Sequence, residues 1–302
     1  MVLNNTPDDS YLGYVVSMWV WLAAAYFVVN TIKFTHGIAT VENVCIYLIS
    51  VGVLQCFLAI AIDTIPTVKM VIDSILDGEG FMGKNENRLY GLGCALDVAG
   101  TRFSALLVMI AFLLLKAVQK ERNHFYIAFL LAAFCILVGI GSIIGRTTIV
   151  GVVLVLLYLF YIFCFKKDIS VASRIKLTRW VLSGVCVGVI VAAGLYTFSP
   201  QWRQYFQFGF EGFFSLAETG RWEVHSNTQL AAQFILPDNM WTWIFGDGYM
   251  ASTTNDPYYV GKAWMGFYKG TDAGYSRFLF YFWTNWIKYI FIFLYKSLSG
   301  ML

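Results

Sequence analysis

Seven apolar stretches, each close to the length of a bilayer crossing, constrain this chain more than any other feature. They run Tyr14–Ile32, Val44–Ile62, Leu96–Leu115, Phe125–Ile144, Thr147–Phe165, Trp180–Phe198 and Gly274–Tyr295. A hydrocarbon core about 30 Å thick takes roughly 20 apolar residues of helix, because only the helix itself can satisfy backbone amides there. The composition agrees: 59% of the 302 residues are hydrophobic and 13% charged, against about 45–50% and about 25% in soluble domains. The expected fold is all-α, a polytopic transmembrane helical bundle of about seven spans. A net charge of +3 spread along the chain leaves no footprint for nucleic acid. The first residues carry Asp8 and Asp9 rather than a basic n-region, so no cleavable signal is expected. The six cysteines show no CxxC or Cys/His spacing. They read as small apolar packing residues, and neither a metal site nor a disulfide framework is indicated.

Orientation follows from lysine and arginine in short connections. The connection 116–124 carries Lys116, Lys120 and Arg122; the connection 166–179 carries Lys166, Lys167, Arg174, Lys176 and Arg179; Lys33 lies in the first connection. Seven alternating spans put all three on one side, the cytoplasmic one. The N-terminus, the acidic segment 63–95, the Gly145-Arg146 turn and a long segment before the last span then lie outside, and the C-terminus inside. The expected organisation is 1–198 as six helices with short loops, 199–273 as an extracytoplasmic loop domain, and 274–302 as the last helix and tail. Val68, Val71, Ile72 and Ile75 have helical spacing and predict a short amphipathic surface helix. Gly184, Gly188 and Ala192 recur every fourth residue and predict close helix contact.

The long segment is dense in aromatics and holds Glu218-Thr219-Gly220-Arg221-Trp222, Phe245-Gly246-Asp247-Gly248-Tyr249 and Asp272-Ala273-Gly274-Tyr275. Connections of this length usually carry function. Arg146 reads either as an interfacial anchor or as a fixed cation suited to phosphate. The run Gly139, Gly141, Gly145 lacks the spacing and the preceding strand of a nucleotide fingerprint, so helix packing is the better reading. Thr219 is expected to cap a helix that puts Arg221 and His225 on one face. Glu218, Arg221 and Glu223 read equally as a local ion-pair network, and His225 as a structural residue or a base. Asp272 reads as a helix N-cap, as a base at the membrane mouth, or as both. The turn around Asp247 reads as tight backbone geometry. Asp97 and Arg102 sit near the outer interface, where ionisable groups face protein or water.

The order of these motifs resembles the O-antigen polymerase and ligase family. It comprises a Gly-Arg turn between two spans, a basic loop, another span, an outer segment beginning Thr219-Gly220-Arg221-Trp222, the Phe245-Gly246 turn, and Asp272 entering a span. Arg88-Leu89-Tyr90-Gly91 and Asp97-Val98-Ala99-Gly100-Thr101-Arg102 are similar to the earlier outer segment of repeat-unit polymerases. The likeness covers roughly 88–281. It implies an inverting, metal-independent glycosyltransferase of the bacterial inner membrane without cofactors. Its partner would be an undecaprenyl-diphosphate-linked glycan in the lipid bilayer, alongside a flippase and a chain-length regulator. Arg146 and Arg221 match the diphosphate-holding arginines. Asp272 and His225 are the candidate catalytic residues, and Arg88, Asp97, Arg102, Glu218, Trp222 and Asp247 would support them. Ligases carry a His-Asn pair where this chain has Asp272-Ala273, which favours a polymerase. Ligation, or non-catalytic transport of lipid-linked sugars, is the alternative. Family members have further spans, so additional helices upstream of Tyr14 are expected, and the chain reads as a fragment or a short form.

Overall fold

The computed structural model describes residues 4–76, 88–167, 169–282, 292, 295 and 296. The chain forms two compact units, residues 29–222 and residues 1–28 with 223–302. Helix α1 (Leu12–His36) contributes to both. Among the described residues there is no strand, only two isolated bridges.

The larger unit is a helical bundle. It comprises α2 (Val41–Thr64), α3 (Pro66–Leu76), α4 (Leu96–Gln119), α5 (His124–Ile144), α6 (Thr148–Cys164), α7 (Val171–Phe198), α8 (Pro200–Gly209) and α9 (Glu211–Thr219). Helices α1, α2, α4, α5 and α7 are long and apolar enough to cross a membrane. Helix α6 is an apolar helix of 17 residues, the lower end of what a crossing requires, about 17–25. Arg146 and Lys166 bracket it. The seventh expected span is described continuously only as far as Phe282, with Ile292 and Tyr295 beyond it; Lys288 and the Trp283–Trp286 stretch lie outside the described residues. So do Asp77, Glu79, Lys84 and Glu86 of the acidic segment.

Helix α4 is the axis of this unit. Phe103, Leu107, Ile110 and Leu114 recur on one face and are buried, so α4 packs on α2, α5 and α6 together. Its closest crossing is with α6. A Cβ added at Gly100 would lie 2.8 Å from Thr147 Cβ, and one at Gly151 2.9 Å from Ser104 Cβ. Small side chains therefore set the interaxial distance, as they do between membrane helices. The predicted stripe on α7 acts likewise: Gly184 meets Leu131 and Gly188 meets Cys135 on α5, each with 3.0 Å to an added Cβ.

Two boundaries differ from the sequence reading. Helix α7 begins nine residues before the expected Trp180. The Ser170 side chain accepts the Ser173 N–H at 3.2 Å, a helix start, and no proline or glycine interrupts residues 171–183. Arg174, Lys176 and Arg179 therefore sit on a helix rather than in a loop. The stretch 199–273, expected as one loop domain, is divided between the two units after Trp222.

The basic residues of the short connections gather at one end of the bundle. Glu42, at the start of α2, lies 3.4 Å from Lys116, 2.8 Å from Lys120 and 3.8 Å from Arg122. Arg174 donates to the Phe163 and Lys166 carbonyls at 2.7 and 2.6 Å. The opposite end, where α2 and α5 finish and α4 and α6 begin, carries α8 and α9.

The smaller unit is built from the N-terminal segment, α10 (His225–Ala232), α11 (Met240–Phe245) and α12 (Gly274–Tyr281). Residues 4–8 clasp the Phe245–Tyr249 turn. Thr6 donates to the Gly248 carbonyl at 3.0 Å, and Asp8 accepts the Met250 and Ala251 amides at 2.8 and 3.1 Å. Gly246 and Gly248 have φ of 68° and 76°, the left-handed region where glycine carries no steric penalty. A Cβ on Gly248 would also lie 2.9 Å from the Thr6 hydroxyl. The sequence reading of this turn as tight backbone geometry holds.

Candidate functional site

Arg146 is placed by the tightest backbone contacts in the bundle. A Cβ on Gly145 would fall 2.8 Å from Gly100 N, so the chain leaves α5 in direct contact with α4. The Ser104 hydroxyl then donates to the Thr147 carbonyl at 2.9 Å and accepts the Gly151 N–H at 3.1 Å. The Thr148 hydroxyl reaches the carbonyls of Gly141 and Gly145 at 3.0 and 2.7 Å, satisfying groups that the end of α5 leaves open. The turn before Arg146 is thus held on both sides by buried hydrogen bonds.

From that turn the Arg146 side chain lies against α8 and α9. Nε donates to the Phe208 carbonyl at 3.1 Å, Nη1 is 2.7 Å from Glu211 Oε2, and Cζ stands 4.0 Å from the Phe208 ring centre. Arg88 stands 4.8 Å from the same ring. Two guanidinium groups therefore share one aromatic side chain, a stacking that suits arginine better than lysine. Only 19% of the Arg146 side chain is exposed. A snorkelling anchor would spread into headgroups, whereas this arginine is held by a carboxylate, a carbonyl and a ring.

Helix α8 presents Gln201, Tyr205 and Phe208 on one face. Gln201 and Tyr205 donate to the two Asp63 carboxylate oxygens at 3.0 and 2.8 Å, while Phe208 meets the arginines. Tyr90 donates to Asp73 at 2.6 Å. Burial pushes the Tyr90 phenol up, and its hydrogen bond to Asp73 adds to the shift. Sequence reasoning missed Asp63, Tyr205, Phe208 and Glu211 as members of this cluster. The signal was the i, i+4, i+7 spacing of Gln201, Tyr205 and Phe208 after Ser199-Pro200, a helix start.

Arg221 sits differently. Thr219 ends α9 rather than opening a helix, because Gly220 takes φ of 71° and caps it. The next helix, α10, begins only at His225, so Arg221 and His225 share no helical face. Arg221 is exposed, and its carbonyl accepts from Ser215 at 2.9 Å. Among the described residues no ion pair joins Glu218, Arg221 and Glu223. Trp222 folds back on α9, edge-on to Phe213 at 5.0 Å and over Gly212. Helix α9 has nine residues, a length of about 13 Å, with Glu211 and Arg146 at its start and Arg221 past its end. Arg102 donates to the Gly93 carbonyl at 3.0 Å, fixing the turn before α4. Asp97 lies in the first turn of α4, and its side chain lies outside the described part.

The smaller unit holds the expected acid and imidazole. Asp272 is not an N-cap: Ala273 occupies that position and makes no side-chain bond. Instead Asp272 lies 3.4 Å from Arg277, which stacks on Phe267 at 4.2 Å. The residue spacing explains this: Ala273 stands between Asp272 and the first helical residue, Gly274, so the Asp272 oxygen reaches a side chain rather than an amide. His225 is exposed at the start of α10, its Nε2 3.0 Å from Gln229 Nε2. Asp272 N donates to Gln233 at the far end of the same helix, so α10 separates the two candidates by about 12 Å. Asp247 organises this unit's core: its carboxylate accepts from Thr242 at 2.6 Å and from Tyr268 at 3.1 Å. Tyr249 stacks on Tyr268 with centroids 5.4 Å apart and donates to Asp256. Burial pushes both phenols up, and Asp256 and Asp247 push them further.

No family model, curated protein or solved structure matches the chain.

Proposed function

We propose that this chain is a membrane glycosyltransferase that joins undecaprenyl-diphosphate-linked repeat units into a surface polysaccharide on the outer face of the bacterial inner membrane. The observation that carries the reading is the Arg88–Phe208–Arg146 stack at the bundle end opposite the basic loops. Arg146 already takes a carboxylate oxygen at 2.7 Å, and a phosphate oxygen has the same acceptor chemistry with more charge. A polyprenyl diphosphate bound there would keep its tail in lipid.

The reaction forms a bond between an acceptor hydroxyl oxygen and the anomeric carbon and breaks the bond from that carbon to the diphosphate oxygen. The electron pair leaves with the diphosphate, and the hydroxyl proton goes to a carboxylate. Negative charge grows on the leaving group, and fixed guanidinium groups stabilise it. Arg146 is the principal cation in this scheme, Arg88 its neighbour, and Arg221 a further cation past α9. Asp272, with His225 its alternate, is the base that the motif order implies; both belong to the other compact unit.

The test is polysaccharide chain length on a gel, with an immunoblot for abundance, in cells that depend on this chain. Arg146→Lys keeps the charge but not the planar fork. It should shorten chains to one or a few units at normal protein abundance, and Arg88→Lys should act in the same direction. Full-length chains from both variants would end the proposal. Loss of all glycan on the final acceptor, rather than shortening, would favour a ligase. Accumulated cytoplasmic precursor would favour a transporter.

A further inference from the structure

Helices α6 and α7 are neighbours in sequence yet hardly touch; each packs on α4 and α5 instead. Between them lies an open cleft lined only by apolar side chains. Leu114 and Leu131 form its floor, Val155 and Leu159 one wall, and Val181 and Gly184 the other. Leu159 is five residues and Val155 nine residues from the Cys164 end of α6. Leu177, also in the lining, is six residues into α7. At about 1.5 Å per residue the cleft lies roughly 8–20 Å below the basic end, the acyl-chain depth of the leaflet that meets it.

We propose that this cleft seats one anionic phospholipid, with an acyl chain between α6 and α7 and the phosphate on the basic rim above. Charge complementarity selects this occupant. The connection and first turns of α7 carry Lys166, Lys167, Arg174, Lys176 and Arg179. Arg174 shares a helical face with Leu177, Val181 and Gly184, so the cationic stripe runs directly into the apolar one. Its two terminal nitrogens bridge α7 to the end of α6, while its buried Nε–H has no acceptor among the described residues. Basic pockets between spanning helices bind anionic headgroups by this combination of charge and hydrocarbon. The inference needs only that the bundle is in a membrane, and it stands apart from the glycosyl-transfer reading.

The experiment uses the full chain, purified in mild detergent, stripped of lipid and titrated with dioleoyl phosphatidylglycerol or dioleoyl phosphatidylcholine under native mass spectrometry. One phosphatidylglycerol should be retained per chain, with a preference of roughly tenfold over phosphatidylcholine. Lys166→Ser with Lys167→Ser should weaken phosphatidylglycerol alone, by about fivefold per lysine. Leu159→Trp, which fills the cleft, should weaken both lipids. If that variant does not fold, the lipid preference of the unaltered chain still decides the matter. Glycerophosphoglycerol, a headgroup with no acyl chain, should fail to displace the bound lipid. Equal retention of the two lipids, displacement by the bare headgroup, or stronger retention of a polyprenyl phosphate would each overturn the assignment.

Discussion

Glu42 and Arg174 at one end of the bundle, and Arg88 and Arg146 at the other, are held by specific partners. Arg146 is the clearest case: its position was legible from the Gly145-Arg146-Thr147 turn between two apolar runs, but its partners were not. Phe208 and Glu211 lie more than sixty positions away, and nothing local in the sequence connects them to it. Asp272 shows the reverse failure. Its side-chain chemistry suits a cap, yet Ala273 takes that position and the carboxylate turns to Arg277. At the N-terminus, Asp8 is tuned by its surroundings. Burial pushes its carboxyl up, but hydrogen bonds from Ser10, Ala251 and Met250 outweigh that and hold it below its ordinary value of 3.8. A depressed carboxyl contributes stability that is present above the ordinary value and is lost as pH falls through the folded one. The clasp on residues 245–251 should therefore loosen on acidification. Hydrogen exchange at Met250 and Ala251, corrected for intrinsic rate, should show protection near pH 6 that is lost progressively as the pH falls below 3.8. Asp8→Asn should already lack most of that protection near pH 6. Protection that is flat with pH in the unaltered chain would show that Asp8 does not hold the clasp.

Elements were read more securely than sites. Long apolar runs announce spanning helices because lipid leaves the backbone no other way to satisfy its amides. The start of α7 was missed because its first turns are basic and carry no hydropathy signal. The run Gly139, Gly141, Gly145 illustrates the limit of pattern reading, since the three glycines have different roles. An added Cβ at Gly139 meets nothing within 4 Å, at Gly141 it meets Phe103 at 3.1 Å, and at Gly145 it meets the α4 backbone. Gly139→Ala should leave the melting temperature of the detergent-purified chain unchanged or raise it slightly, because alanine favours a helix interior by about 0.5–1 kcal/mol. Gly145→Ala should lower it, since overpacking against rigid backbone costs about 1–3 kcal/mol. Equal effects at the two positions would mean that the α4–α5 contact does not set the turn that carries Arg146.

At the scale of the whole molecule, the chain separates its charges. Lysines and arginines with one shared acid, Glu42, occupy one end of the bundle. The other end carries arginines stacked on an aromatic ring, with Asp63 and Asp73 in hydrogen bonds nearby. Charge counting over loops sorts these two ends from sequence alone, because α2, α4, α5, α6 and α7 alternate as expected. It cannot foresee that residues 199–222 pack with the bundle while residues 223–282 join the N-terminus, since that division rests on long-range contacts such as Asp8 with Ala251. The resemblance to repeat-unit polymerases rests on motif order alone; of its residues, the stack on Phe208 brings together Arg88 and Arg146. The decisive measurement uses the full chain in lipid nanodiscs with a synthetic undecaprenyl-diphosphate-linked repeat unit, following release of undecaprenyl diphosphate and formation of the doubled unit. The unaltered chain should release one undecaprenyl diphosphate for each new linkage, with the doubled unit as the first product. It predicts a loss of roughly 10²-fold or more with Arg146→Lys, by analogy with removing one preorganised donor to a developing charge. Undiminished product formation by Arg146→Lys, or none by the unaltered chain, would contradict it.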